Sequence, residues 1–87
     1  MKREPEWFEE REVALVYIAA RLGDATRLEG VLGDAGIDFA VEADEYEGGF
    51  IFRRVRTGAF FYVESADAEA ARAVMRRNGY RPLKAED

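Results

Sequence analysis

The stretch from Thr57 to Met75, TGAFFYVESADAEAARAVM, constrains the fold most, because signals for a turn, a strand and a helix follow one another directly. Thr57-Gly58 lies between two β-rich runs and predicts a tight hairpin connection. Ala59 to Val63 predicts a strand, and Ser65 is a preferred residue for capping a helix N-terminus. Asn78-Gly79 then favours a left-handed stop. The rest of the chain is expected to assemble around this strand–helix unit.

A second strand–helix unit precedes it. Val13 to Ala20 is apolar on both faces and predicts a central strand. A helix is predicted over about Ala25 to Ala35, with Asp24 as its cap and Gly36 at its end. Its apolar residues repeat at the spacing of one helix face: Leu28, Val31, Leu32 and Ala35. Ile37 to Ala43 alternates and predicts the next strand.

Two glycines interrupt this first helix, and the remaining segments are shorter. Gly30 and Gly33 each cost up to ~1 kcal/mol relative to alanine, so a close packing approach is expected there. Asp44 to Gly49 predicts a polar loop, and a β-rich run at about 50–56 predicts an extra hairpin strand. Tyr80 to Leu83 predicts a last strand, confined to a sheet edge by Pro82.

This order of elements predicts the fold class α+β. Two β-α-β units with right-handed crossovers give a ferredoxin-like βαββαβ sandwich, in which an antiparallel sheet carries both helices on one face. The domain is expected at 13–83, with a charged N-terminal extension at 1–12 and a tail at 84–87. The residues expected in its core are Leu28, Val31, Leu32, Phe39, Val41, Phe61, Val63 and Val74.

Composition excludes several classes of protein. The 87 residues fit one domain, and the absence of cysteine excludes disulfides and thiolate metal sites. The net charge of −5 disfavours broad affinity for nucleic acid or for anionic lipid. No apolar run is long enough to span a bilayer, and residues 1–12 do not resemble a secretory signal. A cytoplasmic location is therefore expected.

Two segments, DATRLEGVLGDAGIDFAVEAD and AFFYVESADAEAARAVM, resemble a small prokaryotic family of uncharacterised ferredoxin-like domains that are described as signal-transducing proteins. The matching residues are Gly36-Ile37, Phe39, Val41, Asp67-Ala68-Glu69 and Ala71, within about residues 13–78. The resemblance implies a fold shared with the nitrogen-regulatory PII proteins and a regulatory role, and it implies no catalytic residue. The aromatic run at 60–62 departs from the family, and residues 1–12 fall outside the match.

The side chains needed for catalysis or for a metal site do not form a recognisable set. The chain has no histidine and no cysteine, and Ser65 is better explained as a helix cap than as a nucleophile, since no base can be named beside it. Three acidic residues of the predicted loop, Asp44, Glu45 and Glu47, lie near Glu42 of the preceding strand, but the set lacks the ligand pattern of a calcium loop. We predict a protein that is not an enzyme, with no catalytic residue, no cofactor and no metal.

Two binding functions are weighed as alternatives. Arg53, Arg54 and Arg56 are candidates to hold an anionic ligand or an acidic peptide, although the same run also suits a charged strand edge. Val16-Tyr17-Ile18 and Gly58 to Tyr62 resemble the base-stacking strands of the RNA-recognition motif. Because an alanine stands where a stacking aromatic belongs, and because the net charge is negative, we expect no binding to single-stranded RNA.

An uncovered sheet face predicts self-association. If Val16, Ile18, Phe61 and Val63 face the helices, strand alternation sends a second apolar set to the opposite face: Val13, Leu15, Tyr17, Phe60 and Tyr62. Such a patch is unusual on a monomer, and its cover is either a second copy or the 50–56 arm together with Trp7 and Phe8. We expect a homodimer centred on Phe60 and Tyr62. The predicted function is a regulatory or interaction domain, and the alternatives are a small-molecule-binding sensor and an RNA-binding module.

Overall fold

A computed structural model describes residues 1–48 and 54–84, and the fold over those residues is α+β. Its elements are β1 (Val13–Ala19), α1 (Leu22–Asp34), β2 (Phe39–Gly48), β3 (Arg54–Glu64) and α2 (Ala68–Arg77), with 3-10 helices at Pro5–Phe8 and Ser65–Asp67. The strands form an antiparallel sheet in the order β1-β3-β2. Neither helix in this part of the chain is long and apolar enough to cross a membrane.

The long hairpin of β2 and β3 replaces the predicted loop and extra strand. Pairing is continuous from Phe39 opposite Val63 to Gly48 opposite Arg54. The turn predicted at Thr57-Gly58 is therefore wrong, since both residues lie inside β3 and Gly58 lacks the positive φ that such turns require. Residues 44–48 of the predicted loop belong to β2, and residues 54–56 of the predicted arm belong to β3. The rest of that arm, with Arg53, lies outside the described residues.

A β-bulge in β1 changes which side chains face the helices. Leu15 pairs with Tyr62 and Tyr17 pairs with Phe61, so Val16 is an additional residue without a partner in β3. Val16 and Tyr17 consequently both point to the helix side, and the alternation is inverted beyond them. The prediction for Tyr17 and Ile18 is wrong for this reason: Tyr17 packs against the core, and Ile18 lies on the opposite face beside Phe60.

The hydrophobic core lies between the sheet and both helices. Five of the predicted core residues are fully buried: Leu28, Leu32, Phe39, Phe61 and Val63. The other three, Val31, Val41 and Val74, are partly buried and pack against the same cluster. The periodicity of the sequence thus located the core correctly, and Met75 and Val16 complete its centre.

The helix ends were predicted correctly and the helix starts were not. Gly36 and Gly79 have φ values of 73° and 86° and form the predicted left-handed stops. However, α1 begins at Leu22, so Asp24 lies inside the first turn of the helix and not at its cap. The carboxylate of Asp24 accepts a hydrogen bond from the Tyr17 hydroxyl at 2.9 Å. Ser65 opens a 3-10 turn, and its hydroxyl makes no cap for α2.

The two glycines inside α1 do not mark a close approach. A β-carbon built on Gly30 or on Gly33 would meet nothing within 4 Å, so the packing reason expected from the sequence is wrong. Both positions are exposed and helical. Each glycine therefore lowers the stability of α1 relative to alanine, and no close contact compensates for this loss.

We accordingly expect Gly30→Ala to raise the free energy of unfolding by about 0.5–1 kcal/mol, because alanine restricts the unfolded chain and fits the helical backbone. Chemical denaturation measures the change. Gly36→Ala is the matched control: it also has open space, but its φ of 73° is strained for alanine, so this variant should be destabilised. A Gly30→Ala protein no more stable than the parent would contradict the expectation.

The C-terminal segment runs beside β1 without forming the predicted fourth strand. No strand is present at residues 80–83, and the backbone contact there is a single hydrogen bond from the Leu83 N–H to the Val16 carbonyl, at 2.8 Å. The described residues therefore give a β-α-β-β-α order. As a result, β1 is an edge strand of the described sheet, and residues 80–84 leave the backbone of its N-terminal half unpaired.

Candidate binding groove at the free edge of β1

A groove of about 750 Å³ follows the outer edge of β1. Residues 13–15 of β1 form its floor, and Ala68, Glu69 and Arg72 of α2 form one wall. Leu83 and Lys84 close the end where the C-terminal segment meets the strand. The groove thus occupies the position that a fourth strand takes in a complete βαββαβ sheet.

Unpaired backbone groups face this groove. The Glu12 carbonyl accepts a hydrogen bond from the Ser65 N–H on the β3 side, at 2.9 Å. Because backbone groups alternate in direction along a strand, Val13 and Leu15 turn their N–H and C=O groups outward. Within residues 1–48 and 54–84, no backbone group bonds to them there. The bulge then turns the Val16 carbonyl outward, where Leu83 binds it, so the free edge is short.

The opposite edge of the sheet is paired at its start and carries acidic side chains further along. Residues 1–3 pair with the start of β2, since the Arg3 N–H donates to the Phe39 carbonyl at 2.7 Å and the Phe39 N–H donates to the Met1 carbonyl. Further along β2, acidic side chains follow one another, which discourages the addition of another strand. By contrast, β1 contains no charged residue and no proline.

Arg72 is the buried charged residue of the described fold, with only 4% of its surface exposed. Its Nε donates to the Leu83 carbonyl at 2.9 Å, which holds the C-terminal segment against α2. Its Nη1 donates to the carboxylate of Glu69 at 2.6 Å. The guanidinium is therefore fixed at the wall of the groove by two hydrogen bonds.

The N-terminal segment covers part of the sheet face that lies opposite the helices. Phe8 is only 6% exposed and shares a pocket of about 240 Å³ with Ala40 and Tyr62 of that face. Trp7 contacts the Phe8 ring edge-on at 4.8 Å, and the guanidinium groups of Arg3 and Arg11 lie 4.7 and 4.0 Å from the centre of its ring. Both aromatic residues that the sequence proposed as a cover thus belong to one ordered cluster beside the sheet.

Phe60 is covered from within the same chain. The Tyr46 ring lies 6.2 Å from the Phe60 ring, and Phe60 is 9% exposed. Gly58 permits this arrangement, because a β-carbon there would come within 2.8 Å of Tyr46 and 2.9 Å of Ile18. Tyr62 stays partly exposed, and burial, followed by the nearby charges of Glu42 and Asp44, raises the pKa of its hydroxyl.

Tyr17 is part of the contact between the sheet and α1. Its hydroxyl donates to Asp24, and its ring meets the Tyr80 ring edge-on at 5.3 Å. Burial, together with the Asp24 carboxylate, raises the pKa of Tyr17 to about 12. Tyr17 therefore stabilises the contact between β1 and α1. It does not belong to the apolar set that the sequence predicted on the open face of the sheet.

The other predicted ligand positions that the structure describes lie outside the groove. Arg54 and Arg56 are exposed on β3 and do not line the groove. The four acidic residues occupy both even and odd positions of β2 and so divide between its two faces. The described part of the chain contains no group of three or more acidic side chains positioned for a metal ion.

Arg72 was not singled out from the sequence as a binding residue, although a signal was present. It lies in the buried stripe of α2 formed by Ala68, Ala71 and Met75, where an apolar residue is normally expected. The three candidates Val13, Leu15 and Tyr62 do line the groove.

Comparison of the chain with models of protein families, with curated proteins and with solved structures gives no match. The resemblance to signal-transducing domains consequently stays a prediction.

Proposed function

We propose that this chain is a non-enzymatic interaction domain that forms a homodimer by pairing the free edge of β1 with the same edge of a second copy. The observation that carries the proposal is the outward-facing backbone of Val13 and Leu15 in an open groove. Unpaired strand edges of this kind are sites at which another strand adds. A regulatory role in signalling is the part of the proposal that comes from the family resemblance.

The spacing of the free backbone groups suits a two-fold axis. Val13 and Leu15 lie one residue to either side of Ala14. If the two-fold axis passes beside Ala14, Val13 of each copy lies opposite Leu15 of the other copy in an antiparallel pair of strands. Each copy then satisfies both outward N–H groups and both outward carbonyls. Such a contact is self-complementary and closes after two chains.

Side chains at the edge add apolar contact. Val13 is 41% exposed, and Leu15 and Tyr62 lie beside it on the face that the helices leave open. This places the proposed interface at the rim of the sheet. The sequence predicted a centre at Phe60 and Tyr62; Phe60 is less suited because Tyr46 already covers it, whereas Tyr62 lines the groove.

A lysine at the edge tests the dimer. We expect Val13→Lys to raise the dimer dissociation constant about tenfold or more, equivalent to ~1.4 kcal/mol, because a charged side chain on an edge strand opposes strand addition. Sedimentation velocity over a range of concentrations measures it. Val55→Lys is the matched control: Val55 is also an exposed valine in a strand, but it lies in β3 near the far end of the hairpin.

Three results are informative. A dimeric parent and Val55→Lys with a dissociated Val13→Lys support the proposal. A parent that stays monomeric at tens of micromolar contradicts it. Equal dissociation of both variants also contradicts it, because the effect would then come from added charge and not from the edge.

An RNA-binding function is not favoured by the arrangement of the aromatic side chains. Tyr17 is bound to Asp24 on the helix side, and Phe60 lies under Tyr46. Neither ring presents a free face for stacking on a base.

A further inference from the structure

Arg72 carries a positive charge that the fold neutralises only weakly. The guanidinium is almost fully buried, yet its ion-pair partner, Glu69, has 78% of its side chain exposed. Ion pairs with a solvated partner contribute little, whereas removing a cation from water is costly. A second anion beside the buried guanidinium of Arg72 would therefore stabilise its charge.

One nitrogen of Arg72 has no partner in the described fold. Nε binds Leu83 and Nη1 binds Glu69, and Nη2 makes no hydrogen bond. Every fully enclosed side-chain nitrogen or oxygen within residues 1–48 and 54–84 has a partner, so Nη2 must reach solvent. Arg72 lines the groove, which gives a ligand access to this guanidinium.

The surroundings of Nη2 suit a negative ligand. Lys84 lines the same groove and adds a second positive charge. The first turn of α2, at Ala68 and Glu69, also lines it, and α2 begins without a side-chain cap. The positive end of the helix dipole therefore acts in the same direction as the two cations.

We infer that the groove contains a carboxylate-binding site in which Nη2 of Arg72 donates a hydrogen bond to the ligand. A carboxylate fits because guanidinium and carboxylate groups form strong, planar, charge-assisted hydrogen bonds. The carboxylate is either a free small molecule or an acidic side chain of a second copy. This site does not depend on the proposed dimer, since it uses α2 and the C-terminal segment and not the backbone of β1.

A titration followed by NMR tests the site on the full chain. Sodium acetate and sodium glutarate are added separately, with sodium chloride at the same ionic strength as the reference, while the Arg72 Nε–H and the amides of residues 68–72 are observed. We expect saturable shifts with both carboxylates and not with chloride. Arg72→Gln should abolish them, and Arg76→Gln, an exposed arginine one turn further along α2, should not.

A second variant keeps the test decisive if Arg72→Gln fails to fold. Glu69 is exposed and competes for the same guanidinium, so Glu69→Gln should leave the fold intact and tighten carboxylate binding by about threefold or more. Unchanged or weaker binding in Glu69→Gln overturns the inference. Equal shifts with chloride, or shifts that survive in a folded Arg72→Gln, also overturn it.

Two further arms identify the source of the carboxylate and separate the two proposals. Shifts that appear on concentrating the protein without added carboxylate, and that are lost in Arg72→Gln, assign the ligand to a second copy. Shifts that require added acetate or glutarate in dilute protein assign it to a small molecule. The titration is repeated on the parent chain diluted below the dimer dissociation constant: binding retained by the monomer shows that the carboxylate site exists even where the dimer does not form.

Discussion

Replacing Phe8 with alanine is expected to lower the free energy of unfolding by about 3–5 kcal/mol, the usual cost of removing a buried phenylalanine ring. Phe8 is nearly fully buried, but it lies outside the main core, over the sheet face that carries Ala40 and Tyr62. Its loss uncovers that face and removes the anchor of residues 1–12. Chemical denaturation, with fluorescence of the neighbouring Trp7 as the signal, measures both effects.

Phe8→Leu is the control for this experiment, since it keeps an apolar side chain at the same place and should cost less than about 1.5 kcal/mol. A loss below about 1 kcal/mol for Phe8→Ala would show that the N-terminal segment does not cover the sheet in solution. The open face would then need another cover, and a dimer centred on Phe60 and Tyr62 would regain support.

Replacing Leu32 with alanine is expected to cost about 2–5 kcal/mol. Leu32 is fully buried in α1 and packs in the cluster that joins both helices to the sheet. The truncation removes apolar contact and leaves a cavity, and the cost depends on how far the neighbouring side chains can close it. Because a small domain is stabilised by only some 5–15 kcal/mol, this variant should unfold at a much lower denaturant concentration.

The same helix provides the control. Leu22 is 84% exposed, so Leu22→Ala should change stability by no more than about 0.5 kcal/mol. A change below about 1 kcal/mol in Leu32→Ala, or equal effects at the two leucines, would place Leu32 on the surface and contradict the core described here.

The parts of the fold that follow from periodicity and from glycine were predictable. Leu28 and Leu32 repeat along one face of α1, and Phe61 and Val63 alternate along β3, so the core could be read from apolar spacing alone. Gly36 was predictable as a helix end because a left-handed residue is needed there and glycine adopts it without strain.

The parts that depend on contacts between distant segments were not predictable from local patterns. A bulge adds one residue to β1, and an alternation argument that assumes a regular strand then assigns Tyr17 and Ile18 to the wrong faces. Asp24 has the chemistry of a helix cap, but the Tyr17 hydroxyl binds it instead. Gly58 resembles a turn residue, although its role is to leave space for Tyr46.

The groove was only partly predictable. Val13 and Leu15 were identified as interaction residues because they are apolar. Their position at a sheet edge depends on a C-terminal segment that, over residues 80–84, makes one backbone hydrogen bond to β1. Arg72 had a signal in its buried helical stripe, but its free nitrogen depends on where Leu83 and Glu69 lie.

The pairing of residues 1–3 with β2 has a consequence for the size of any assembly built on this sheet. A sheet with two open edges is like a bifunctional monomer, which can add units at both ends and grow into a fibre. Here residues 1–3 occupy the start of the second edge, and acidic side chains line its continuation. A pair joined through β1 therefore presents an acidic edge at each end, and this charge opposes the addition of further copies.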